Sequence, residues 1–240
     1  MPTLSPVLAF LLVVQALGDV IAHKPRADLG QPLDQHLAGF GRAERRIAAV
    51  CAGLGGFEWM EGIPGNVGGG LRMNAGAMGI ETFDQVVSVT FLDEDGEIRT
   101  RGEKQIIARY RNVPELRRNY ALRAVFRGKP ASQDEIRSEM VRSRKHRRET
   151  QPVAASAGCV FKNPEGIGAG RLIDELGLKE RGVGRAAVSP EHGNFIVNRG
   201  GATASEVLEL IEQLKGEARS ARDIELLTEV QILGEDEVSF

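Results

Sequence analysis

The chain has 240 residues, 42% hydrophobic and 27% charged, which excludes a disordered, collagenous or coiled-coil chain and leaves one large domain or two small ones. Lys and Arg number 31 against 33 Asp and Glu, a net charge of −2, so no general basic field argues for nucleic acid and any anion site must be local. The two cysteines, Cys51 and Cys159, lack CxxC spacing; they exclude a disulfide framework, argue against zinc-ribbon or thioredoxin chemistry, and point to a reducing compartment.

The chain begins with an apolar run, Val7 to Val14. It is too short to span a bilayer, which takes about 20 apolar residues. It reads as a buried strand or helix; a signal peptide cleaved near Val20-Ile21-Ala22 is the alternative, although no Lys or Arg precedes Val7. Residues 23–41 mix Pro, Gly and charge as an irregular connection. The segment RAERRIAAVCA (42–52) predicts a helix that stops at Gly53. Next comes GLGGFEWMEGIPGNVGGGLRMNAGAMG (53–79), so dense in glycine that backbone conformation is what it specifies.

Val86 to Leu92 alternates as a strand, Asp95-Gly96 is a hairpin turn, and Glu97 to Thr100 returns, which predicts a β-meander. A further strand is expected at Ala121 to Arg127. GKPASQDE (128–135) has the composition of a linker, which places a domain boundary there. Ile136 to Glu149 predicts a basic helix that must end before Pro152. The remainder alternates element types: a strand at Cys159-Val160-Phe161, a helix at Ala169 to Leu176 closed by Gly177, and a strand at Asn194 to Asn198. A T-x-x-E capping box at Thr203 and Glu206 then opens a helix carrying Val207, Leu208, Ile211 and Leu214, and a last strand is expected at Glu229 to Leu233. That is an α+β unit of about 100 residues.

The glycine loop GIPGNVGGG (62–70) can bring backbone N–H groups close to an anionic or planar ligand. It is not a P-loop, since no Lys-Ser/Thr follows, and the near match to GxGxxG at Gly182 to Ala187 does not follow a strand. A short glycine cluster is more often a structural turn; the length of this one and the polar Asn74 after it favour ligand contact. SAGCVFKNP (156–164) places a thiol, an ammonium and an amide together. On an alternating strand Cys159 and Phe161 would share a face, with Lys162 on the other. A thiol of ordinary pKa, about 8.5, is mostly protonated at pH 7 and can give a proton to a carbanion. A lone Cys in an apolar strand is more often core filler, and Lys162, Arg111 and Glu229 each read singly as surface charges. His23, His36, His146 and His192 share no ligand spacing, so no metal is expected.

The ordered set of segments 53–79, Tyr110-Arg111, QP…SAGCVFKNP, AGRLIDELGLK, VSPEHGNFIVN and TEVQILG closely resembles the UDP-N-acetylenolpyruvoylglucosamine reductase (MurB) family, from about residue 42 to 235. The resemblance implies an α+β protein: a partial FAD-binding domain of the PCMH/vanillyl-alcohol-oxidase-like type (42–130, after an atypical segment 1–41), then a UDP-sugar-binding domain (131–240). It implies FAD, with NADPH as hydride donor, and reduction of the enolpyruvyl UDP-sugar to UDP-N-acetylmuramate for peptidoglycan. By motif position, Arg111 polarises the substrate carboxylate, Glu229 helps stabilise the enolic intermediate and Cys159 supplies the proton. Family members more often carry serine at this last position.

Gly62, Ile63, Pro64, Gly65, Asn66, Val67, Gly68, Asn74 and Ala75 would line the flavin; Tyr110, Lys162 and Asn163 would face substrate, and the basic helix is a candidate for its diphosphate. Two departures stand out: residues 1–41 contain no GxGSN-type loop, and Leu227 occupies a position often acidic in the family. The alternative reading is therefore a non-catalytic, UDP-sugar-binding remnant. The expected setting is a cytoplasmic monomer acting on a small molecule, without nucleic-acid or membrane partners.

Overall fold

The computed structural model describes residues 10–15, 20–23, 53–63 and 65–232. The helix expected at 42–52, with Cys51, lies outside them, as do Pro64 and Leu233. The chain forms two compact units, residues 1–145 and 146–240.

The first unit contains β1 (Phe10–Gln15), β2 (Val20–His23), β3 (Leu54–Gly55), α1 (Val67–Met73), β4 (Gly76–Ala77), β5 (Ile80–Glu81), β6 (Val86–Leu92), β7 (Ile98–Gly102), α2 (Glu115–Arg118) and β8 (Tyr120–Pro130). Helix α3 (Gln133–Thr150) runs across the division. Strand order is β2-β1-β8-β6-β7, antiparallel throughout, and β3 also pairs with β8. Part of the apolar run Val7 to Val14 thus becomes a strand. β8 sits mid-sheet and alternates accordingly: Ala124, Phe126 and Gly128 are buried while Arg123 and Arg127 are exposed. Against its buried face pack Val86, Val89, Phe91, Leu71, Ile106, Val113 and Leu116.

β6 and β7 form the expected hairpin, with Gly96 at positive φ, and β8 pairs with the far side of β6 instead of following β7. The connection explains this. Residues 103–119 carry their own apolar anchors in Ile106, Val113 and Leu116, which let the chain cross under the sheet rather than turn tightly back.

The segment 128–135 is not a linker. Its first three residues end β8, with Gly128 opposite Phe10 and Pro130 opposite Leu54. Ser132 then caps α3: its Oγ accepts the Glu135 N–H (3.2 Å) while the Glu135 carboxylate accepts the Ser132 N–H (2.9 Å), a reciprocal capping box.

The second unit contains β9 (Ser156–Cys159), α4 (Ala169–Glu175), β10 (Gly182–Val183), β11 (Ala186–Val188), β12 (Phe195–Asn198) and α5 (Ala204–Arg222). Its sheet runs β10-β11-β12-β9, again antiparallel, and with the helices it makes an α+β unit. Gly182 to Ala187, the weak dinucleotide-like match, is a tight hairpin. The Thr203/Glu206 capping box forms as expected, and α5 buries Leu210, Ile211, Leu214 and Ala218 against Leu172, Ile173, Val188 and Ile196.

Two strand expectations are corrected. β9 ends at Cys159, and Val160 and Phe161 are both buried, so simple alternation fails. The reason is Asn194: its Oδ1 accepts the Phe161 N–H and its Nδ2 donates to the Phe161 carbonyl, both at 2.8 Å, so a buried side chain replaces a neighbouring strand. Residues 229–232 of the expected last strand form no strand, and Gln231 and Ile232 are exposed; just before them Thr228 makes a bridge to Phe161.

Candidate active site

The glycine segment is built from its ends inward. Asn66 caps α1, its Oδ1 accepting the Gly69 N–H at 2.8 Å, and Leu71 anchors the helix in the core. Residues 67–70 are therefore helical rather than loop. Three consecutive glycines weaken a helix by roughly 1 kcal/mol each relative to alanine, so propensity does not explain them. Gly62, Gly65, Asn66, Gly68 and Gly69 are all exposed, and a Cβ at Gly65 would meet nothing within 4 Å. Around the capping Asn66 side chain the glycines leave backbone exposed, which fits a large planar or anionic group such as a flavin dinucleotide. Ile63 is half-buried, as is Val67. Ala75 is tied down by backbone bonds to Gly70 and Thr82.

Asn74 ends α1 in the left-handed conformation (φ 42°, ψ 53°) and is 2% exposed. Its Nδ2 donates to Glu81 Oε2 (2.6 Å) and to the Arg109 carbonyl (3.3 Å), and its Oδ1 accepts the Phe83 N–H (3.0 Å). The amide is thus engaged within the protein: it holds the segment's shape and joins it to the 109–111 loop.

That loop carries Arg111, itself at positive φ (54°) and with a side chain 17% exposed. The β4–β5 hairpin turns at Met78-Gly79, both at positive φ, as a two-residue type I′ turn requires, and this register sets Gly76 directly opposite Glu81. Arg111 meets both members of that pair: Nη2 donates to the Gly76 carbonyl (3.3 Å) and Nη1 lies 3.9 Å from Glu81 Oε1. Its guanidinium also lies 4.7 Å from the ring centre of half-exposed Tyr110. Glycine is required at 76, since a Cβ would come within 2.8 Å of the Ile80 carbonyl and 3.0 Å of Glu81 Cγ. Nearby, Arg144 of the basic helix donates through Nε and Nη2 to Glu61 Oε1 (3.0 and 2.9 Å), so this cation is turned to a buried carboxylate.

In the second unit, backbone pairing joins the other expected residues. The Glu229 N–H donates to the Val160 carbonyl (2.7 Å) and the Lys162 N–H to the Leu227 carbonyl (2.8 Å), which sets Glu229 alongside the strand end that carries half-buried Cys159. Gly158, at φ 85°, turns the backbone immediately before the thiol. Lys162 is half-buried and Asn163 exposed, and Asn163 Oδ1 accepts the Ala169 N–H at the start of α4 (3.0 Å). Arg111 and Tyr110 thus belong to the first unit, and Cys159, Lys162, Asn163 and Glu229 to the second. Glu81 was not legible as a site residue, since only the hairpin register brings it to Arg111.

Residues 151–233 match the family model described as the UDP-N-acetylenolpyruvoylglucosamine reductase C-terminal domain. A protein of Bacillus licheniformis named UDP-N-acetylenolpyruvoylglucosamine reductase is 41% identical over 219 residues, covering 86% of this chain and 72% of that protein. The chain belongs to the UDP-N-acetylenolpyruvoylglucosamine reductase family. A second reductase of this name, also from Bacillus licheniformis, is 43% identical and covered over 98% of its length, whereas one from Syntrophus aciditrophicus is 41% identical and covered over 59%. The crystal structure of the MurB reductase from Thermus caldophilus superposes with a TM-score of 0.69 at 38% identity, over 78% of this chain and 67% of that one. Family membership therefore covers both units, since the match to the Bacillus licheniformis protein extends far beyond the C-terminal domain. Among the described residues of this MurB-family chain, no helix is long and apolar enough to cross a membrane.

Proposed function

We propose that this chain reduces the enolpyruvyl double bond of UDP-N-acetylglucosamine enolpyruvate to give UDP-N-acetylmuramate, a step of peptidoglycan synthesis, as a cytoplasmic monomer. The observation that carries the reading is the arrangement in the first unit: a glycine surface open to a flavin, joined through Asn74 and the Gly76–Glu81 pair to a held, largely buried Arg111. FAD, held along Gly62 to Gly70, would supply hydride taken from NADPH.

The protein's own residues do the rest. Hydride addition at carbon 3 leaves negative charge on carbon 2 and its carboxylate, and a preorganised guanidinium at Arg111 stabilises that charge without reorienting. Glu229 assists at the enolic oxygen, and Cys159 gives its thiol proton to carbon 2, which completes the addition of one hydride and one proton. Tyr110, Lys162 and Asn163 orient the substrate. Family membership supports these assignments, and the backbone pairing of 160–162 with 227–230 supports placing Cys159 and Glu229 in one cluster.

Reconstitution with FAD tests the proposal. The expected result is a flavin band at about 450 nm that bleaches with NADPH and recovers on addition of the enolpyruvyl UDP-sugar. A colourless protein that still binds the UDP-sugar would establish the non-catalytic reading instead, and size exclusion tests the monomer.

A further inference from the structure

We infer that Glu81 is a positioning residue for Arg111 and one of the elements that tie Arg111 to the glycine segment. The inference rests on the reductase reading above and adds to it a residue outside those expected to meet either ligand. Its two carboxylate oxygens face in two directions: Oε2 accepts from Asn74 Nδ2 at 2.6 Å, and Oε1 lies 3.9 Å from Arg111 Nη1. The Glu81 backbone is fixed independently. Its N–H is held by Asp84 Oδ2 at 2.7 Å, and the hairpin sets it opposite Gly76, whose carbonyl accepts from Arg111 Nη2. Arg111 is therefore held at both nitrogens by the two members of one cross-strand pair.

The distances divide the work. At 2.6 Å the Asn74 contact is a hydrogen bond and fixes the carboxylate, whereas 3.9 Å to Arg111 is too long for one, so the influence there is charge. Both side chains are shielded, Arg111 at 17% exposure and Glu81 at 34%, so solvent screens the pair only in part. A carboxylate at this distance orients the guanidinium by charge rather than by a hydrogen bond. Because the same carboxylate holds the side chain that closes α1, a shift in the glycine segment reaches Arg111 through Glu81 as well as through the Asn74 bond to the Arg109 carbonyl.

The test is a double-mutant cycle in the full-length protein: Glu81→Gln, Arg111→Gln and the double variant, read by turnover and by thermal unfolding. Glutamine keeps an oxygen for Asn74 and removes the charge. In FAD-reconstituted protein, Glu81→Gln is expected to lower kcat/KM for the UDP-sugar about tenfold or more with flavin content unchanged, and to have less than about a twofold effect in the Arg111→Gln background, which lacks the cation. Glu81→Asp, which keeps the charge, should recover part of the loss. An equal loss in both backgrounds, or an activity within about twofold of wild type for Glu81→Gln, overturns the inference. If the wild-type protein does not turn over the UDP-sugar, the reductase reading fails and unfolding decides alone. Non-additive Tm losses for the two single variants support the coupling, and additive losses overturn it.

Discussion

Residues 62–81 and residues 160–218 reach a fixed shape by opposite means. The second is a packed core in which Leu172, Ile173, Leu210 and Leu214 are fully enclosed and helix and strand are held by apolar side chains. The first has few such side chains. Apart from Leu71 and partly buried Val67 it is held by Asn66, Asn74, Glu81 and backbone turns at positive φ. Side-chain packing tolerates repacking and is worth most to stability, whereas polar pins around bare backbone contribute less to stability but leave a surface that a ligand can approach. The contrast predicts that substitutions in the two regions separate stability from function.

The largest expected effect is chemical. Cys159→Ala should lower kcat by about 10²–10⁴-fold, the range of general acid catalysis, with flavin content and Tm nearly unchanged, while Cys159→Ser should retain most activity. A Cys159→Ala enzyme that turns over at the wild-type rate would remove the thiol from the mechanism. Next comes Leu172→Ala, which empties a fully buried site between helix and sheet and should destabilise the protein by about 2–5 kcal/mol in denaturant unfolding. A loss below about 1 kcal/mol would mean that the second unit is not the rigid core described.

The glycine surface should respond with the opposite sign. Gly68 lies in α1, is exposed, and a Cβ there would make only an ordinary 3.5 Å contact with Asn66 Oδ1. Gly68→Ala should therefore stabilise the fold by about 0.5–1 kcal/mol through helix propensity. It should at the same time weaken FAD binding, because a methyl group would occupy the bare face. Equal FAD affinity in titration, with or without the stabilisation, would show that this face is not where the cofactor lies.

How much of this was legible follows the same division. Elements made by side-chain periodicity could be read directly: Val86 to Leu92 forms a strand over the expected residues, and the Thr203/Glu206 box opens the helix it predicts. The strand expected at 159–161 failed because Asn194, more than thirty residues away, substitutes for a strand partner, and no local pattern announces that. The start of α3 was legible but outweighed. Ser132 and Glu135 spell S-x-x-E, yet the neighbouring Gly128 and Pro130 dominated the composition and made the segment look like a linker. In the glycine-rich segment, the density of glycine announced specified backbone conformation, and Gly62, Gly65 and Gly79 do adopt positive φ. The helical turn inside it and the engagement of Asn74 depend on long-range partners, Glu81, Phe83 and Arg109.

The smallest effect sharpens the comparison from the packed side. His192 lies in the turn before β12, half-buried, its ring edge-on to Phe195 and its Nδ1 accepting the Asn194 N–H at 3.1 Å. Burial, and then the charge of Lys179, hold its pKa below the ordinary imidazole value. The folded protein therefore binds this proton less readily than the unfolded chain does. Stability from His192 is present above about pH 6.5, the ordinary value, and is lost as pH falls through the lower folded-state pKa. Protonation also removes the acceptor for Asn194, whose side chain holds Phe161 in place, so the effect should pass to the strand end beside Cys159. Thermal unfolding of wild type and His192→Asn between about pH 8 and pH 5 checks this, because the variant lacks the titrating ring. The wild-type Tm should fall more steeply than the variant's below about pH 6.5, and parallel curves would mean that the turn does not sense the imidazole charge.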